Sequence, residues 1–213
     1  MTRPLILQFR VSTLPVLVVG AGRVAARKIA VLMEHGARIR VIAPEIRAVL
    51  PRGEIQFSRR EFRASDLDGH FLAVAATDSR EVNAFVGEEA RKRGIPVNIV
   101  DDPKRSTFLF TATVARGPLM LSVSTSGACP AIARRFRRGL DNTLSPALSA
   151  AMGRLAEIRS VLSESRLSKD ERRALLETLA DLVWEERETA DDRLLLLLDE
   201  HLKNKTSDSW SDA

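Results

Sequence analysis

Short apolar runs alternate with amphipathic stretches through the first half of the chain. Residues 4–9, 16–19, 38–42, 55–57, 71–76 and 96–100 have strand length. The run at 71–76 is almost unbroken, as expected of a parallel strand covered on both faces. Between these runs, helical spacing predicts one helix over about 24–35, stopped by Gly36. A second runs from Asp78 to about Arg93, opened by an Asp-x-x-Glu cap (Asp78, Glu81) and ended by Gly94. Strands alternating with helices in this way predict an α/β fold with a parallel sheet.

The pattern changes after Pro103. Residues 107–114 and 119–125 read as two strands joined by the turn chemistry of Arg116-Gly117-Pro118. Pro130 suits the first turn of a helix. From Pro146 onward the spacing is helical, over about 146–163, 169–188 and 191–203, with Ser168 and Glu171 as a capping box. Residues 205–213 are polar and are expected to be disordered.

Composition narrows the function classes. Aromatic residues make up 5% of the chain and tyrosine is absent, which counts against a base-stacking platform for single-stranded nucleic acid. The one cysteine, Cys129, allows no internal disulfide and fits a reducing compartment. Residues 1–10 lack the features of a secretory signal, and no apolar run approaches the ~18 residues of a membrane span. A cytoplasmic protein without a membrane partner is expected. The net charge of +5 is unevenly spread. Residues 103–140 hold no Asp or Glu but seven cations: Lys104, Arg105, Arg116, Arg134, Arg135, Arg137 and Arg138. From Ala151 onward 15 acids face 10 bases. A basic middle beside an acidic tail suggests a local site for a polyanion.

The strand at 16–19 runs into Gly20-Ala21-Gly22-Arg23-Val24-Ala25, a Gly-x-Gly-x-x-Ala turn that opens a helix. Gly20 permits the tight turn, Gly22 lets backbone approach a pyrophosphate, and Ala25 keeps helix and strand close. The phosphates would meet free N–H groups at the helix N-terminus, with Arg23 and Val24 in its first turn. An acid about 20 residues on should bind the adenosine ribose. Glu45, after Pro44 at the end of the second strand, is the candidate, and its charge favours NAD over NADP. The end of the 71–76 strand, with Thr77 and Asp78, is the second expected contact. These features predict an N-terminal Rossmann-type domain.

Further stretches follow in order: Ala75-Ala76-Thr77-Asp78 with Asn83; Asn98-Ile99-Val100-Asp101-Asp102-Pro103-Lys104; and Pro118-Leu119-Met120 through Ser124-Thr125-Ser126-Gly127 to Pro130. With Val18 to Lys28, they resemble the precorrin-2 dehydrogenase/sirohydrochlorin ferrochelatase family, the dehydrogenase part of siroheme synthase. The resemblance covers about residues 4–140. It implies NAD-dependent oxidation of precorrin-2 to sirohydrochlorin, often followed by insertion of ferrous ion at the same site, in a homodimer built on the middle segment. It puts the catalytic aspartate at Asp101 and the lining of the active site at Ser124, Thr125 and Ser126. Thr125 and Cys129 stand where the family pattern has serine. The implied organisation is a dinucleotide-binding domain over 1–112, a small α+β dimerisation segment over 113–145 and a helical domain over 146–204.

The chemistry suits these residues. NAD accepts a hydride, so the protein supplies orientation and a base, a role for Asp101. The substrate is a polycarboxylate, and the cations of the middle segment, Lys104, Arg134 and Arg138 among them, would meet it. The arginines cover more than one helix face, so periodicity does not choose among them. The residues alone also allow plainer readings: Asp101-Asp102-Pro103 as a simple turn, and the arginines as a solvated face. They also allow a second class, an NAD-sensing regulator or nucleic-acid-binding protein using residues 104–138. His35, His70 and His201 have no partner at metal-ligand spacing, so no resident metal is expected. In the tail, Trp184 and residues 194–198 are expected to pack inward.

Overall fold

Period-two burial builds the first unit of the computed structural model, which describes residues 4–186, 189–191 and 193–198. Strands β1 (Pro15–Val19), β2 (Arg38–Ile42), β3 (Ile55–Ser58), β4 (Leu72–Ala75) and β5 (Val97–Ile99) form a parallel sheet in the order β3-β2-β1-β4-β5. In β1, Val16 and Val18 enter one core with Ala25, Ile29 and Leu32 of helix α1 (Arg23–Glu34). Leu17 and Val19 enter the opposite core with Val86 and Ala90 of helix α2 (Arg80–Lys92). Strands β1 and β4 therefore read as unbroken apolar runs because helices cover both faces. Ile39 of β2 pairs with Val16 of β1 and Val19 with Ala75 of β4, a register that aligns the C-terminal ends of the three central strands.

The chain divides into this unit, ending at Phe110, and a second beginning at Thr111. The second opens with an antiparallel hairpin, β6 (Ala112–Arg116) and β7 (Leu119–Val123), turning at Gly117 and Pro118. Helix α3 (Pro130–Thr143) lies against both strands. Helices α4 (Pro146–Glu164) and α5 (Lys169–Glu186) pack through Ala151, Ile158, Leu162, Leu175 and Leu179. Ser145 caps α4 by accepting from Leu148 N, and Ser168 and Glu171 close the expected capping box on α5. Among the described residues no helix is long and apolar enough to cross a membrane.

Four local expectations are corrected. Residues 4–9 form no strand: Leu5, Ile6 and Leu7 are exposed, and the five-stranded sheet bounded by β3 and β5 does not include them. The strand expected over 107–114 begins only at Ala112. Instead Ser106 and Thr107 flank the outer edge of β5 with their hydroxyls, which accept from Ile99 N and Val97 N at 2.9 and 2.7 Å. The cap of α2 is Ser79, whose hydroxyl accepts from Val82 N, while Asp78 is held by an arginine described below. Trp184 points outward at 71% exposure, and of the 194–198 run Leu195 and Leu196 are exposed too, whereas Leu194 is fully buried among α4 and α5. The helix expected over 191–203 and the tail at 205–213 fall partly or wholly outside the described residues.

A buried carboxylate within the β3–β4 connection stabilises the first unit. Asp66 is 5% exposed. It receives two hydrogen bonds from the Arg60 guanidinium (2.8 and 2.6 Å) and one from Arg63 N (2.8 Å). The Arg60 bonds, followed by that from Arg63 N and the charges of Arg60 and Arg40, hold its carboxyl below the ordinary range against the opposing effect of burial. Asp66→Asn should lower stability by about 1–3 kcal/mol, the range for a buried donor left without its partner. A carboxyl depressed in the folded state stabilises above its unfolded pKa, about 3.9 for Asp, and ceases to do so as pH falls through the folded value. The gap between the thermal melts of the two proteins should thus begin to narrow below about pH 4 and close only once pH is below the depressed folded value.

Candidate functional site

The turn after β1 is fixed by one close approach. Gly20 has φ +111° and donates its N–H to Ile42 O at 2.8 Å. A Cβ there would lie 2.3 Å from Ala76 O, so no other residue fits this backbone. Gly22 differs: it caps α1 at φ −89°, and a Cβ there would meet nothing within 4 Å. Open space therefore faces the first turn of α1, where Arg23, Val24 and Ala25 have no intrahelical acceptor and no acidic side chain intervenes. Donors and the positive end of the helix dipole suit a pyrophosphate.

Around this turn the exits of β2 and β4 bring the other expected contacts to the same sheet edge. Pro44 and Glu45 are exposed beyond β2, and Thr77 and Asp78 follow β4. Thr77 is locked in place: its N–H donates to Asn83 Oδ1 at 3.0 Å, and Asn83 Nδ2 donates back to Thr77 O at 3.0 Å. Asn83 is buried, so this pair shapes the loop from within. Sequence reasoning missed Arg47. Its Nε donates to Glu45 Oε2 at 3.2 Å and its Nη1 to Asp78 Oδ2, while its N–H donates to Ala21 O at 3.0 Å. The bond to Glu45, then the charge of Asp78, push the guanidinium further above its ordinary range. The sequence showed only a cation two places after the expected ribose ligand; the fold supplies Asp78 from 31 residues away.

Beyond β5 the two adjacent aspartates have separate roles. Asp102 accepts from Arg105 N through Oδ1 (3.1 Å), and its carbonyl accepts from Ser106 N and Oγ. Asp101 is exposed at φ +62°, and among the described residues its carboxylate has no hydrogen bond or ion pair. Asp101 is thus a left-handed, non-glycine residue with an uncommitted acid, on the edge that carries the glycine turn. Lys104 is exposed in the same turn. A cleft of about 720 Å³ lies at the opposite edge, lined by Arg38, Arg40, Glu54 and His70, away from the strand ends where such sheets bind ligands.

In the second unit, Ser124, Thr125 and Ser126 form the approach to α3. Ser126 is left-handed (φ +53°) and its N–H donates to Ser124 Oγ at 3.1 Å. Thr125 Oγ1 accepts from Cys129 N at 3.1 Å, so this hydroxyl shapes the start of α3. Arg134 and Arg138, one helical turn apart, are exposed. Arg135 is exposed and Arg137 is half-buried.

A family model described as putative NAD(P)-binding matches residues 7–112. Siroheme synthase 1 of Aeromonas salmonicida is 40% identical over 174 residues, covering 80% of this chain and 37% of that protein. Siroheme synthase of Methylococcus capsulatus is 38% identical over 203 residues, covering 91% of this chain and 42% of its own length. The chain thus spans about two fifths of the length of these curated relatives. A solved structure titled SirC, precorrin-2 dehydrogenase, superposes with TM-score 0.75 at 24% identity, over 92% of this chain and all of that one. That likeness is one of fold.

The two glycines separate folding from binding. Gly20→Ala should cost about 2 kcal/mol or more, since its left-handed backbone penalises a side chain and the added methyl overlaps a carbonyl. Gly22→Ala should cost under about 1 kcal/mol as a helix cap. It should nonetheless weaken NAD binding roughly tenfold, by intruding on the phosphate approach. Calorimetric titration of a folded Gly22→Ala protein with unchanged affinity would rule out this turn as the phosphate site.

Proposed function

We propose that this chain is a member of the precorrin-2 dehydrogenase family and oxidises precorrin-2 to sirohydrochlorin with NAD as the oxidant. The observation that carries the reading is Asp101, an uncommitted carboxylate at the exit of β5 on the edge that holds the dinucleotide turn. Bound NAD supplies a hydride acceptor. The protein's residues do the remainder. The open face at Gly22 and the N–H groups of Arg23 and Val24 hold the pyrophosphate. Glu45, beside Pro44, accepts from the adenosine ribose, and Thr77 and Asp78 border the dinucleotide from β4. Gly20 fixes the turn on which this depends. Asp101 accepts the proton that leaves the substrate as its hydride departs.

Cations and hydroxyls of the kind that suit the substrate's carboxylates are Lys104 and, each unit taken by itself, Ser124, Thr125, Ser126, Arg134 and Arg138. Ferrous ion is a second substrate in this reading. The macrocycle's own nitrogens hold the metal, and Asp101 takes up protons that it displaces. We place the activity in the cytoplasm and in a homodimer built on residues 113–145, with residues 1–112 as the dinucleotide domain and 146–204 as a helical domain. Exposed Ile132 and Phe136, on one face of α3, support the dimer.

Asp101→Asn should retain NAD binding and lose turnover by a factor on the order of 10²–10⁴, the usual contribution of a positioned base. The assay is anaerobic incubation with precorrin-2 and NAD, followed by absorbance. Undiminished turnover in the variant would remove Asp101 from the mechanism, and no NAD-dependent change in the unaltered protein would overturn the function. Adding ferrous or cobaltous ion after oxidation tests chelation, which predicts a second, metal-dependent spectral change.

A further inference from the structure

We propose that Arg47 determines dinucleotide specificity: by pairing with Glu45 and Asp78 it offsets the carboxylate charge at the adenosine end, so that the site admits a 2′-phosphorylated dinucleotide as well as NAD. The inference rests on reading the turn at Gly20 to Ala25 as a dinucleotide site. An acid following β2 that meets the ribose alone repels a 2′-phosphate, whereas a nearby arginine accommodates one. This chain has both within three residues, and they are paired at 3.2 Å. With Asp78 the group is two carboxylates and one guanidinium, so Arg47 halves the net negative charge there.

Geometry gives Arg47 a fixed base and free donors. Its N–H is bonded to Ala21 O inside the phosphate turn, which ties the residue to the site. Nε and Nη1 face the two acids, while the described residues offer Nη2 no acceptor. The side chain is 63% exposed, so Nη2 is open to an arriving phosphate oxygen. A planar guanidinium can serve carboxylate and phosphate at once.

The test is titration of the full chain with NAD and NADP, with the ratio of the two dissociation constants as readout. The unaltered protein should bind both. Arg47→Gln should shift the ratio toward NAD by roughly fivefold or more, the scale of an exposed charge interaction. Arg47→Lys, which keeps the charge, should restore most of the ratio, and Glu45→Gln should shift it toward NADP. Added salt should narrow the gap between Arg47→Gln and the unaltered protein, which a purely structural role would not produce. An unchanged ratio in Arg47→Gln, or NAD binding with NADP wholly excluded by the unaltered protein, overturns the inference while leaving the dinucleotide site standing. Failure to bind either dinucleotide overturns that site and the inference together.

Discussion

The sheet's C-terminal edge depends on how closely two strand ends approach. Gly20 and the Ala76 carbonyl are so close that even a methyl group cannot stand between them. That contact sets the exit of β1 against the exit of β4, directs α1 away from the turn, and leaves its first N–H groups facing open space. The register of the central strands brings the β2 exit to the same edge, with Gly20 N bonded to Ile42 O. Residues far apart in sequence thereby share one rim: Glu45, Asp78 and, beyond β5, Asp101. The apolar cores hold this arrangement from both faces but do not specify it.

Charge on the first unit is divided between structural and available groups. Asp66 and Asp102 are spent on the protein's own donors, one buried in the β3–β4 connection and the other closing a turn. Asp101, next in sequence to Asp102, makes no such bond among the described residues. The difference lies in backbone conformation: the left-handed turn at Asp101 directs the chain so that Asp102, not Asp101, meets Arg105 and Ser106. In the second unit the one acid of α3, Asp141, pairs with Arg116 of β6, so the exposed Arg134, Arg135 and Arg138 keep no ion pair among the described residues.

Much of this was legible in the chain. The bounds of β2 match their apolar run residue for residue, and the buried spacing of Ala25, Ile29 and Leu32 is that of the amphipathic helix expected there. The glycine turn and its flanking strand and helix were readable because steric demands on backbone leave glycine in fixed places. Errors came where tertiary partners decide. An apolar run at 4–9 has strand composition but no strand beside it, and Trp184 obeys no face that spacing alone could choose. Arg47 was invisible for a related reason: its meaning depends on Asp78, which only the parallel crossover brings near.

The hydroxyls beside β5 have a consequence of another kind. A parallel sheet ends in a row of outward N–H and C=O groups, which can template a foreign strand. Here Val97 N and Ile99 N are already taken by Thr107 and Ser106, and Val97 O accepts from Thr107 N at 2.8 Å. Side chains thus complete the ladder without adding a strand that could itself be extended. This border of the sheet is protected against edge-to-edge aggregation, and the protection comes from two short polar residues in a loop that carries no regular structure.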